Sequence, residues 1–223
     1  MKSFITSLVI LSFCVSALAL DRADLDFRLR KLAIKFEGMQ GRPDKRIPAE
    51  NLRKAQGIIL LDRTKAGFIF AYQGGGGVAM IKDAQTGQWS PPAFLSASEA
   101  SLGFQIGGQQ SFIVILLMNT NATRMLTEPT FNFGAEASGT AGNSSAGVEG
   151  SVTTEEPLVL VYSDTEGLYG GAALKGGTIS PDTDANLTCY GQILTTKDIL
   201  FEHKAKPTEA ATELTQRIDN FSK

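Results

Sequence analysis

The segment Gly74-Gly75-Gly76-Gly77-Val78-Ala79 satisfies the G-x-G-x-x-A form of the dinucleotide-binding turn. In that turn, glycines let the backbone approach a pyrophosphate, which rests on exposed N–H groups at the start of a helix. No helical pattern follows here. Val78-Ala79-Met80-Ile81 reads as strand, Asp83-Ala84-Gln85-Thr86-Gly87 as turn, and Trp89 comes next. The glycines therefore read as a wide turn or bulge between two strands, where neighbouring backbone comes close. Nucleophilic chemistry is equally unsupported. There is no G-x-S-x-G elbow, and Gly142-Asn143-Ser144-Ser145-Ala146-Gly147 has the wrong spacing for one. His203 is the only histidine, and Cys189 lies 14 residues before it. One imidazole and one thiol do not make a metal site. The close carboxylate pairs, Glu155-Glu156 and Asp182/Asp184, fall in polar stretches where solvated acids are the default. The residues give no sign of an enzyme, a cofactor or a bound metal.

Binding chemistry is better represented. Leu25, Leu29, Leu32 and Phe36 recur at steps of four, three and four, which places them on one face of a helix over Asp21–Phe36. Arg28, Lys31 and Lys35 flank that stripe, and Gly38 and Gly41-Arg42-Pro43 end the helix. Two uses fit: packing the stripe onto the domain, or lying in a membrane interface with apolar residues in lipid and cations on headgroups. Phe27 and Ile34 on the opposite side blur the amphipathicity. Trp89, the sole tryptophan, stands beside Pro91-Pro92. It suits either insertion at a membrane interface or plugging one end of a β core.

Charge supports an anionic surface as the target. Residues 20–65 hold 12 Lys and Arg against 7 Asp and Glu, whereas residues 66–223 hold 8 against 16. A basic leading segment on an acidic body suits anionic headgroups. With a formal net charge of −2, nucleic acid is not expected as a partner.

The elements that position these residues follow from the pattern along the chain. Residues 1–19 read as a secretory signal peptide: Lys2, an apolar run over Phe4–Val15, and Ala17-Leu18-Ala19 as the cleavage site. Leu11-Ser12-Phe13-Cys14 has only the outline of a lipid-attachment box. Cleavage removes Cys14 and leaves no disulfide to staple the fold. The 223 residues and 43% apolar content suit one sizeable domain. Of 23 glycines, 19 lie between Gly67 and Gly177, marking a turn-rich stretch. A short helix is expected at Ile47–Ala55, and strands at Ile58–Leu61, Phe68–Tyr72, Val78–Ile81, Phe112–Met118, Leu158–Tyr162 and Leu168–Leu174. Ser111–Met118 is apolar almost throughout, as a strand covered on both faces would be. Asn119–Leu126 fits a helix behind an Asn cap, and Ser138–Gly147 is a low-complexity run. Lys206-Pro207-Thr208 opens a last helix with Leu214, Ile218 and Phe221 on one face. The expectation is α+β: an antiparallel, β-dominated, barrel- or sandwich-like single domain flanked by N- and C-terminal helices. The amphipathic helix spans 20–37, the β-rich core 47–205 and the C-terminal helix 207–222.

These pieces also spell a familiar order. Ile47-Pro48…Leu52…Ala55-x-Gly57-Ile58, Gly67-Phe68…Gly75-x-Gly77-Val78, Trp89-Ser90-x-Pro92, Ser101-x-Gly103-x-Gln105-x-Gly107, Tyr162-Ser163…Gly167-Leu168-Tyr169-Gly170-Gly171 and Tyr190-Gly191 together resemble the SYLF-domain family over about Leu32 to Phe201. The resemblance implies phosphoinositide-type lipid binding through an N-terminal amphipathic helix and basic residues; some fungal members bind actin. Carried over by position, the lipid-binding residues are Arg28, Lys31, Lys35, Leu25, Leu29, Leu32 and Phe36, with Trp89 added from its own chemistry. Where the family often has a G-P-x-G-R turn, this chain has Gly142-Asn143-Ser144-Ser145-Ala146-Gly147-Val148-Glu149, without the proline and the cation. The expected function is non-catalytic binding to anionic membrane lipids by an exported protein, periplasmic or secreted. The alternative is an actin-binding-like scaffold module with an envelope protein as partner. Asn186-Leu187-Thr188 is one of four glycosylation sequons, relevant only in a eukaryotic secretory pathway.

Overall fold

Alternation of side chains along extended chain places every second residue on the same side of a sheet, and the apolar runs here feed both sides. The computed structural model describes residues 20–67, 70–102, 107–133, 140–142, 158–167 and 177–223. The expected leader, the strand at 168–174 and the departing segment after Gly142 lie outside the described residues. Strand β1 (Gly57–Gly67) is central. β2 (Phe70–Ile81) runs antiparallel along one edge of it, Gly57 opposite Ile81. β4 (Gly107–Leu117) lines the other edge, Gly57 opposite Leu117. β3 (Ala93–Leu102) adds to β2, β8 (Gly177–Pro181) to β3, and β7 (Val159–Gly167) to β4, all antiparallel. Short β5 (Phe131–Phe133) lies on β8, and β6 (Thr140–Gly142) runs parallel to β7. The order is β5-β8-β3-β2-β1-β4-β7-β6.

The fold is α+β and dominated by antiparallel strands, as expected. The sheet is open, however, and the barrel- or sandwich-like closure is corrected. Helices, not a second sheet, cover its two faces. Ile58, Leu60, Val78, Met80, Val114 and Leu116 point to one side, where they meet helices α1 (Arg22–Gln40), α2 (Ala49–Lys54), α4 (Thr183–Tyr190) and α6 (Glu209–Asn220). Ile59, Leu61, Ile113, Ile115 and Leu117 point to the other, under α3 (Thr120–Arg124), a 3-10 turn at Met125–Thr127 and α5 (Thr196–Leu200). Burial on both faces is why Phe112–Leu117 reads as an unbroken apolar run.

The glycine run sits inside β2, not at a turn. A Cβ on Gly77 would lie 2.0 Å from the Leu60 carbonyl oxygen, and one on Gly75 would lie 2.2 Å from that of Asp62. Close backbone approach is the reason for these glycines; the wide turn is corrected to continuous strand. The sequon asparagine Asn186 is buried, its amide accepting from Phe94 N and donating to Phe94 O, so it offers no attachment point in the folded domain.

Candidate functional site

Helix α1 begins at a capping box. The Asp21 carboxylate accepts from Asp24 N (2.8 Å), and the Asp24 carboxylate accepts from Asp21 N (3.3 Å). Its inward face is Leu25, Leu29, Leu32, Ala33, Phe36 and Met39, all buried. The stripe expected to enter lipid is therefore core. Leu25, Leu29, Leu32 and Phe36 have essentially no surface left to offer a bilayer, and membrane insertion by these four is corrected to packing on the sheet. Burying each contributes about 1.5–3 kcal/mol to folding, which is why the stripe turns inward.

The outward face carries what remains. Phe27 is 69% exposed and Ile34 is 62% exposed. Seven residues apart, they stand two turns along the same side of the helix, with Arg30 and Lys31 between them and to either side of the line that joins them. Leu158, Leu187 and Ile193 are also exposed, but no two of them share an element. Isolated apolar residues of that kind are ordinary.

The molecule's own acids meet the cations. Lys31 Nζ lies 2.8 Å from Asp62 Oδ2 and Lys35 Nζ 2.6 Å from Asp62 Oδ1, so two ammonium groups share one carboxylate. Burial acts to raise the Asp62 carboxyl, but the hydrogen bonds from Lys31 and Lys35 outweigh it and hold it below its usual value. Arg28 crosses the space left by Gly76, sits 5.8 Å over the Phe94 ring and pairs with Asp182, the α4 N-cap, at 3.4 Å. Arg30 pairs with Glu213 of α6 at 3.2 Å. Of the three expected cations, Lys31 is the most open; Arg28 and Lys35 are partly covered.

Trp89 takes the core-plugging role. Its indole N–H donates to Asp219 of α6 (2.8 Å), the Lys82 ammonium lies 4.7 Å over its ring, and it packs on the apolar core. Its expected membrane insertion is corrected to this internal contact. Lys82 in turn donates to Leu52 O and Arg53 O at the end of α2, and burial pulls its pKa down.

No catalytic assembly forms among the described residues. Cys189 lies in the core under α1, its thiol pushed up by burial. His203 is on the sheet's other side, at a cleft of about 240 Å³ lined by Gln56, Asp83, Thr120 and Phe201. His203 Nε2 is 3.8 Å from Asp83, whose carboxylate already accepts from Gln85, Thr86 N and Thr86 Oγ1. Ser90, also at that cleft, is committed: it accepts from Ile81 N and donates to Pro91 O. No three His, Cys, Asp or Glu side chains gather among the described residues to hold a metal. No helix among them is long and apolar enough to cross a membrane.

Known proteins share this sequence pattern. A family model described as Ysc84, Las17-binding protein actin regulator, matches residues 98–221. The chain is 32% identical to an SH3 domain-containing YSC84-like protein 1 of Xenopus laevis, across 81% of this chain and 54% of that protein. Its human counterpart is 30% identical across 81% and 53%. Protein YSC84 of Saccharomyces cerevisiae is 31% identical across 79% and 38%. The chain thus spans about half the length, or less, of these curated relatives. No solved structure matches it. These relatives, SH3 domain-containing YSC84-like proteins and a family described as Las17-binding actin regulators, overturn the expectation of an exported, periplasmic or secreted protein.

Proposed function

We propose, for a chain that belongs to the Ysc84 (SYLF) domain family, a non-catalytic interaction module that docks on anionic membranes through the outward face of α1. The observation that carries this reading is the exposure of Phe27 and Ile34 with Arg30 and Lys31 set between them. Two large apolar side chains in water stand to gain about 1.5–3 kcal/mol each on full burial, and each cation near an anionic surface adds up to about 1 kcal/mol. A rigid helix held by its inner face presents both at no cost in ordering. Docking of this kind is modest and weakens with salt.

Co-sedimentation tests it, using vesicles of phosphatidylcholine alone or mixed with phosphatidylserine at two salt concentrations. The intact chain is expected to favour the anionic vesicles at low salt, and the double substitution Phe27→Ser/Ile34→Ser to abolish binding without unfolding the domain. Equal binding to both vesicle types, or full retention by the double variant, rejects the reading. A second reading, docking of a protein partner, is favoured by the description of the matching family as Las17-binding. Capture of a purified partner that survives Phe27→Ser/Ile34→Ser, with no vesicle binding, would select it.

A further inference from the structure

We infer that Asp62 is an internal counter-anion that competes with the membrane for Lys31 and Lys35 and so limits how tightly the outward face of α1 docks. This rests on the membrane-docking reading above. Asp62 belongs to β1, a rigid central strand, and its side chain is only 17% exposed. Each of its oxygens holds a different lysine of α1, at 2.6 and 2.8 Å. One carboxylate therefore engages two ammonium groups that an anionic headgroup would otherwise meet.

The two lysines are not equally committed. The Lys31 side chain is half exposed, and its flexible four-carbon stem lets the ammonium swing from Asp62 toward the Phe27–Ile34 face. The Lys35 side chain, 23% exposed, is held closer to the sheet. A bilayer approaching Phe27 and Ile34 thus meets a cation already satisfied from behind, and contact requires exchange of one anion for another. The Arg30–Glu213 pair on the opposite flank is a weaker restraint, because both partners are open to solvent and screened by it.

Replacing Asp62 by a neutral residue should therefore strengthen docking, the reverse of what loss of a merely structural ion pair would do. Asp62→Asn and Asp62→Thr are compared with the intact chain on phosphatidylcholine/phosphatidylserine vesicles, with circular dichroism and thermal unfolding as checks of fold. Threonine is included because its branched side chain suits a strand. Glu128→Gln, an exposed acid beyond the 3-10 turn under the opposite sheet face, makes the same change in net charge elsewhere. The folded Asp62 variants are expected to bind on the order of five-fold more tightly per lysine released, with the gain shrinking at high salt. Binding that is unchanged or weaker in a folded Asp62 variant overturns the inference, as does an equal gain from Glu128→Gln. If neither the intact chain nor the variants bind anionic vesicles, the docking reading itself has failed, and this inference with it.

Discussion

Helices α1 and α6 lie side by side on one face of the sheet, yet only one of them is fully explained by folding. Both begin at a side-chain cap, Asp21 for α1 and Thr208 for α6. Both bury an apolar row, and they meet where the Phe36 and Phe221 rings stand edge to face at 5.9 Å. Helix α6 then presents Glu209, Thr212, Gln216, Asp219 and Asn220 to water. Helix α1 presents Phe27 and Ile34. A terminal helix with one apolar face has discharged its role once packed. One with two faces has a second surface that nothing among the described residues covers.

The comparison is broken most decisively by substitutions on the two sides of α1. Phe36→Ala and Leu214→Ala remove inward side chains of α1 and α6, and each should cost about 2–5 kcal/mol in urea unfolding. Phe27→Ala should move stability by no more than about 0.5 kcal/mol. A Phe27→Ala cost that rivals Phe36→Ala would show that Phe27 has a packing role, and the outward face would lose its meaning as a free surface.

A smaller effect sharpens the parallel between the helix starts. Asp21→Ala and Thr208→Ala each remove an acceptor for an N-terminal N–H, and each should cost about 1 kcal/mol. Amide hydrogen exchange after Asp21→Ala should rise in the first turn, around Asp24, and leave the turn around Ile34 protected. Loss of protection along the whole of α1 would mean that the helix depends on its cap more than on its buried row.

Much of this arrangement is legible in the sequence where signals are local. The Asn119 cap, the Lys206-Pro207-Thr208 opening and the apolar row of α1 mark helices that the structure contains. The doubly covered strand Phe112–Leu117 is marked by its unbroken apolar run. Strand β3 escapes because Ser96-Ala97-Ser98-Glu99 has almost no hydrophobic alternation; it is a strand because β2 and β8 pair with it. Helix α4 escapes because Thr183, Asp184, Asn186 and Thr188 are poor helix formers, and it is held by the Asp182 cap and the left-handed Gly191 at its end. The glycines of β2 look like a turn because the close approach of β1 is a long-range fact. The site fails for the same reason. Both sides of α1 carry large apolar residues, and only the sheet decides that the four-residue row goes inside and the Phe27–Ile34 pair stays out. Nor does any local pattern connect Lys35 to Asp62, 27 residues away.

The ion pairs that bind α1 to the sheet differ from those that bind it to α6, and pH separates them by the smallest of these effects. Asp62 is largely covered, whereas Arg30 and Glu213 are open to solvent. With its folded-state pKa held below the ordinary 3.8 by Lys31 and Lys35 against the opposing effect of burial, Asp62 releases its proton more readily in the folded chain than in the unfolded one. Between those two values the unfolded chain binds more protons, so stability rises with pH there. The contribution is complete above the unfolded value and is lost as pH falls through the folded one. With the Lys31 partner half exposed, the contribution amounts to about 1 kcal/mol or less. The intact chain and Asp62→Asn, unfolded in urea at pH 6 and again near pH 3, should differ most at the first pH and by less at the second. A gap that stays constant down to pH 3 would mean that Asp62 acts through its shape in β1 and not through its charge, and α1 would then be tied to the sheet and to α6 by the same weak, screened contacts.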